Sequence, residues 1–184
     1  MRARTTRLAW LAAILVLPGP ALAQDEIQPP IKTKNSNALI KEHHKQLQLS
    51  SSSSFDGWPE SKALDGDPKT SWFSEQDDSV AKGKTPWIEL KFPDNVEVKH
   101  VTVLGNREPE WLNGYTVLKG KLELIDADGK VVFTKEAETT DKTRDFDFVL
   151  PKGMKIRSVR FTSLGDQGDM NDYGDIAIGE IQIE

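Results

Sequence analysis

DIAIGEIQIE, residues 175–184, decides the fold. Its apolar residues fall at every second position, the period of a half-buried strand. Ile176 and Ile178 share one parity, however, and Ile181 and Ile183 share the other. The alternation therefore slips by one residue near Gly179-Glu180. A β-bulge produces such a slip, and glycine tolerates the bulge backbone. The slip redirects Glu180, a carboxylate among isoleucines. Buried and unpaired it would be costly, so it should meet a cation, an arginine or a set of donors.

The same period recurs upstream. WIELKF (87–92) puts Ile88, Leu90 and Phe92 on one face, and VKHVTVLG (98–105) puts Val101 and Val103 together. RDFDFVL (144–150) alternates with Phe146, Phe148 and Leu150 inward, and KIRSVRF (155–161) follows. KLELIDADGKVVF (121–133) reads as two strands joined through Asp-Ala-Asp-Gly, a hairpin turn signature. LQLSSSSS (47–54) begins as a strand and ends in a serine run. About eight short strands with turn chemistry between them, and almost no helical periodicity, predict an all-β fold, a jelly-roll β-sandwich of antiparallel strands.

The chain has 184 residues and a formal charge of −5. Residues 1–23 have the form of a secretory signal. Arg2, Arg4 and Arg7 precede an apolar run from Leu8 to Leu17, prolines at 18 and 20 break it, and Ala21-Leu22-Ala23 is a small-x-small cleavage site. A secreted or periplasmic protein is expected, with no transmembrane segment, since no stretch approaches the ~20 apolar residues that a spanning helix needs. Cleavage would remove three arginines and leave the chain more acidic, which opposes nucleic-acid binding. There is no cysteine, hence no disulfide, thiol nucleophile or thiolate metal site. Residues 24–46 read as a polar N-terminal arm or tether with a Pro-Pro pair, and 47–184 as one domain.

SKALDGDPKTSW (61–72) sets Asp65 and Asp67 about a bend forced by Gly66 and Pro68, oxygen-rich material of the kind calcium takes. An EF-hand is excluded, because counting from Asp65 the sixth position is Thr70 and the twelfth Gln76. A solvated turn is the competing reading of the loop by itself. Ala63-x-Asp65-Gly66-x-x-x-Thr70-x-Trp72, then Trp87-Ile88-x-Leu90, then Ile176-Ala177-x-Gly179-Glu180-Ile181 resembles the discoidin or coagulation-factor type C (F5/8 type C) domain. The likeness is greatest to the branch that includes family 32 carbohydrate-binding modules, and it covers about residues 47–184. It implies a galactose-binding-like jelly roll and a structural calcium ion joining the loop to the last strand. The implied ligands are the carbonyl of Lys62, the side chain of Asp65, the carbonyl of Asp67, the carbonyl and hydroxyl of Thr70, the carbonyl of Gly179 and the carboxylate of Glu180. Trp72 would pack in the core beneath the loop.

Sugar sites need an aromatic face and a few planar hydrogen-bonding groups. The loops near Trp58, near Trp111 and before the last strand, with Tyr173, carry such residues. In galactose-binding relatives an Arg and a following Asn-Gly often contact hydroxyls, and Arg107 with Asn113-Gly114 resembles that pair. Those relatives tend to have histidine just after the Thr-x-Trp tryptophan. Here Phe73 stands instead, which removes a polar contact but offers a stacking face. Trp58 and Trp111 have a second reading, as covers for a hydrophobic edge. The run DQGDMNDYGD (166–175) reads as a solvated loop or a second cation site, and His100 as a structural histidine.

The expected function is an exported, non-catalytic module that recognises a glycan or another cell-surface ligand. A protein partner or a structural role in the cell envelope, using the same loops, is the alternative. No enzyme is expected: the chain has no Gly-x-Ser-x-Gly elbow, no His-Glu-x-x-His, no P-loop and no cysteine.

Overall fold

Two long strands carry the architecture, and each joins segments that read as separate strands in the sequence. The structure, a computed structural model, describes residues 26–31 and 37–184. The expected signal segment lies outside the described residues. Strand β1 is Gln48–Ser51, β2 Trp72–Phe73, β3 Trp87–Gly105, β4 Val117–Ile125, β5 Val131–Glu138, β6 Phe146–Asp166 and β7 Ala177–Ile183. They form one antiparallel sheet in the order β2-β7-β3-β6-β4-β5, with β1 paired to β3.

WIELKF and VKHVTVLG merge into β3, and RDFDFVL and KIRSVRF into β6. The register between them shifts from Lys91↔Ser158 to Val96↔Ile156, and again from Val98↔Met154 to His100↔Val149. Pro93 lies in the first irregularity and Pro151 in the second. Proline has no N–H to give a ladder and is tolerated where a bulge removes the need for one. Bulges bend strands, and here they let the sheet fold over itself. One buried cluster fills the interior, with Ile88, Leu90, Val101 and Val103 from β3 and Phe146, Phe148, Val159 and Phe161 from β6. The count is seven strands rather than about eight because of these mergers, with the short β2 added.

The slip in the last strand is a bulge. Leu104 pairs with Glu180 and Gly105 with Ile178, so Gly179 is the extra residue. A Cβ on Gly179 would lie 2.8 Å from the Gly105 carbonyl oxygen, so only glycine fits this approach. The expected hairpin joins β4 to β5, with Asp126 Oδ1 accepting from the N–H groups of Asp128 and Lys130. Trp72 is fully buried, its Nε1 donating to Ser54 Oγ at 2.9 Å.

Parts of the segment read as an arm lie against this core. The helix α1, Ala38–His43, buries Ile40 and sets the His43 ring edge-on to Phe92. Ile31 N–H donates to Asp145 Oδ2 at 3.0 Å. Among the described residues no helix is long and apolar enough to cross a membrane.

Candidate ligand-binding site

At one end of the sheet the connections after β1 and β3 and before β7 bring aromatic rings together. Phe55, Trp58, Trp111 and Tyr173 form a closed circuit in which each ring meets the next at 73–86° and 5.9–6.4 Å between centroids. Beneath them Phe73 and Tyr115, both buried, meet at 5.2 Å. These six rings and Asp175 line a cavity of about 80 Å³. Edge-to-face aromatic pairs add attraction beyond their area burial, so the walls support one another.

The wall carrying Trp111 is held from within. Asn106, fully buried, accepts from Ser71 Oγ at 2.8 Å and from Glu108 N–H at 3.0 Å, and its amide donates to the Trp111 carbonyl. Glu108 Oε1 accepts from Trp58 Nε1 at 2.9 Å. Arg144, fully buried, donates to the carbonyls of Asn106, Leu112 and Asp141, to Asn113 Oδ1 and to Asp141 Oδ1. Outside this wall a polar groove of about 530 Å³ runs past Asn113, Asp172 and the outer sides of Trp111 and Tyr173. Asn113 is exposed and its amide nitrogen has no partner among the described residues.

The fold thus gathers Trp58, Phe73, Trp111 and Tyr173 at the cavity and places Asn113 on the adjoining groove. Arg107 is turned elsewhere. Its guanidinium pairs with Asp145 at 2.7 and 3.0 Å and donates to the carbonyls of Gly105, Thr143 and Gln28. It ties β3, the start of β6 and the N-terminal segment together, and its hydrogen-bonding capacity is used inside the protein. Phe55, Tyr115 and Asp175 complete the cavity without having been singled out as ligand contacts. The acidic run holds no cage: Asp166 accepts from Val80 N–H, Ser163 Oγ and Gly168 N–H, while Asp175 faces the rings. His100 pairs with Asp147.

Asp175 is 2% exposed and its Oδ1 has no hydrogen-bond partner among the described residues. Burial pushes its carboxyl up to about 7. A carboxyl whose folded pKa exceeds its unfolded value stabilises least when ionised, so this contribution is present near pH 4 and lost as pH rises through 7. Burial likewise pushes Glu180 up to about 8, so both groups tilt stability in one direction. Each contributes a slope approaching about 1.4 kcal/mol per pH unit where the two states differ by a full proton. Asp175→Asn is expected to roughly halve the fall in unfolding free energy between pH 5 and 8 in metal-free protein. An unchanged slope in urea titrations would dismiss the burial argument.

Part of the loop expected to hold calcium is drawn together. Thr70 Oγ1 lies 2.7 Å from Asp65 Oδ2 and 3.0 Å from the Asp67 carbonyl oxygen. Glu180 is 1% exposed, and its two oxygens accept from Gly66 N–H at 3.0 Å and Asn37 Nδ2 at 2.8 Å. It has no ion pair among the described residues, and Asp65 and Asp67 add negative charge nearby. Asn37 Oδ1, also buried, has no partner among the described residues. A buried acid beside further acids, with an orphaned acceptor, suits a hard cation. Among the described residues no three acidic or imidazole side chains gather closely enough to hold an ion alone. The carbonyls of Lys62, Asp67, Thr70 and Gly179 would therefore have to complete the shell.

Solved structures share this fold at low identity. The family 32 carbohydrate-binding module of NanJ from Clostridium perfringens, in complex with galactose, is 15% identical with a TM-score of 0.62, covering 77% of this chain and 95% of its own. A fucose-binding module from Streptococcus pneumoniae is 14% identical, TM-score 0.57, covering 76% and 93%. Another C. perfringens module, in complex with GalNAc-β-1,3-galactose, is 16% identical, TM-score 0.58, covering 77% and 96%. All are binding modules rather than catalytic domains, as expected for this chain, and they bear out the galactose-binding-like fold. No curated protein matches the chain. The F5/8 type C domain profile matches residues 48–178, and the chain belongs to that family.

Proposed function

We propose that the protein is an exported, non-catalytic carbohydrate-binding module whose loop face grips a glycan or glycan-bearing surface ligand, with a structural calcium ion at the Asp65 loop. One observation carries the reading. Trp111 and Tyr173 each stand between the aromatic cavity and a polar groove, so a saccharide in the groove can lay its apolar face on a ring and turn its hydroxyls to Asn113 and Asp172. Tyr173 is 40% exposed, and an exposed aromatic next to free polar groups is an economical sugar platform. The calcium ion would act on stability rather than on the sugar, since none of its implied ligands lines the aromatic cavity or the groove. That placement rests on the family resemblance and on the buried, uncompensated Glu180.

A glycan array in calcium, followed by calorimetry on the best ligand, tests this. Tyr173→Ala and Trp111→Ala are each expected to weaken binding at least about ten-fold. Tyr173→Ala should lower the unfolding midpoint less than Trp111→Ala does, because its ring is the most exposed of the six. A folded protein that binds no glycan, or a Tyr173→Ala variant with full affinity, would sink the proposal.

A further inference from the structure

The aromatic cavity is too apolar for a whole sugar ring. Its lining is six aromatic side chains and Asp175, and the buried polar atoms there without a partner among the described residues are Asp175 Oδ1 and Trp111 Nε1. A pyranose buried there would leave most of its hydroxyls unsatisfied, at a cost of about 1–3 kcal/mol for each group. A neutral apolar group would instead leave Asp175 Oδ1 without a partner. Four rings in a circuit, each nearly perpendicular to the next, enclose a space in which a central group lies within about 6 Å of every ring, the range of cation–π attraction. At about 10–15 Å³ for each water-sized sphere, the volume admits roughly five or more non-hydrogen atoms.

We propose that this box binds a quaternary methylammonium group, with the methyl groups on the rings and the charge balanced by Asp175. A primary ammonium is excluded by the same accounting of donors. It brings three N–H groups to a lining made almost wholly of aromatic rings, whereas a quaternary nitrogen brings none and is weakly hydrated. The Lys62 ammonium sits 5.4 Å from the Trp58 ring centroid, so one ring of the box already meets a cation.

The inference rests on the loop face being the ligand site and names the chemical group that anchors the ligand there. Tryptophan fluorescence and calorimetry would compare choline with 3,3-dimethyl-1-butanol, its uncharged carbon isostere, on the full chain. Choline is expected to bind saturably and at least about ten-fold more tightly than the isostere. Asp175→Asn should reduce choline affinity by a similar factor without lowering the unfolding midpoint. Binding to phosphatidylcholine vesicles as well as to choline assigns the group to a lipid headgroup, and binding to choline but not to vesicles assigns it to a soluble or glycan-borne source. Equal affinity for choline and the isostere overturns the inference, as does a preference for glucosamine over choline. If neutral glycans bind and choline does not, the inference fails and the glycan reading stands. If the folded protein binds neither, both fail.

Discussion

Arg144→Ala is expected to be among the most damaging single substitutions, lowering the unfolding free energy by about 3–5 kcal/mol. The guanidinium is fully buried and reaches three backbone carbonyls from two separate segments as well as Asn113 and Asp141. Its removal leaves the Asn106 and Leu112 carbonyls without their donor and opens a cavity beneath the loop that carries Trp111. For a domain of this size the midpoint should fall by on the order of 10 °C. Arg144→Lys should recover little, because one ammonium on a flexible stem cannot reproduce a planar fork that serves separated acceptors. Arg144 itself adopts φ 59, and its backbone presses on Gly105, where a Cβ would lie 2.4 Å from the Arg144 carbonyl oxygen. The contact makes Gly105 a second sensitive point. Ligand affinity should fall further than stability alone explains, since the Trp111 wall loses its support. Thermal unfolding with hydrogen exchange over 106–113 checks both parts. A variant that melts within 2–3 °C of the parent, or keeps that loop protected, would show that the hydrogen bonds are not holding it.

The contrast between Arg144 and Arg107 shows where the sequence stops being informative. Both arginines precede or follow polar loop residues, and nothing local says which one a fold will bury. Arg107 was expected to contact a ligand because Arg107 with Asn113-Gly114 resembles a pair in galactose-binding relatives, yet Asp145, many residues later, claims it. The strands were legible because alternation is a local property, and even the Gly179 bulge could be read from the parity of four isoleucines. Where alternation continued past a proline, the number of strands could not be read, since Pro93 and Pro151 look like breaks but sit in bulges of continuous strands. The aromatic cavity was half legible. Trp58, Trp111 and Tyr173 stood in loops rich in aromatic and polar residues, and Phe73 followed the Thr-x-Trp tryptophan. Tyr115 was hidden beside Gly114, and Asp175 was lost in a run of acids whose other members do not line the cavity. Burial separates Asp175 from its neighbours, and burial is set by residues distant in sequence.

Calcium should raise the unfolding midpoint, and Glu180→Gln should abolish that rise while costing little in chelator. An ion that binds only the folded state adds about 2.7 kcal/mol at one hundred times its dissociation constant, or on the order of 5–10 °C here. In metal-free protein the Glu180 carboxyl is buried with two hydrogen-bond donors and no cation, an environment that disfavours its charge. Glutamine removes the charge and keeps one acceptor. Its new N–H group can also meet Asn37 Oδ1, which is otherwise without a partner. The two substitution effects therefore have opposite signs in the two conditions: near zero or stabilising in EDTA, strongly destabilising in calcium. Asp65→Asn should lose part of the calcium shift but weaken the loop in both conditions, because Asp65 also accepts from Asp67 N–H and Thr70 Oγ1. A purely hydrogen-bonding role for Glu180 predicts something different, a loss of equal size with and without calcium. If the parent's midpoint does not move between EDTA and saturating calcium, in protein verified free of metal, then the loop is held by Gly66 and Asn37 alone.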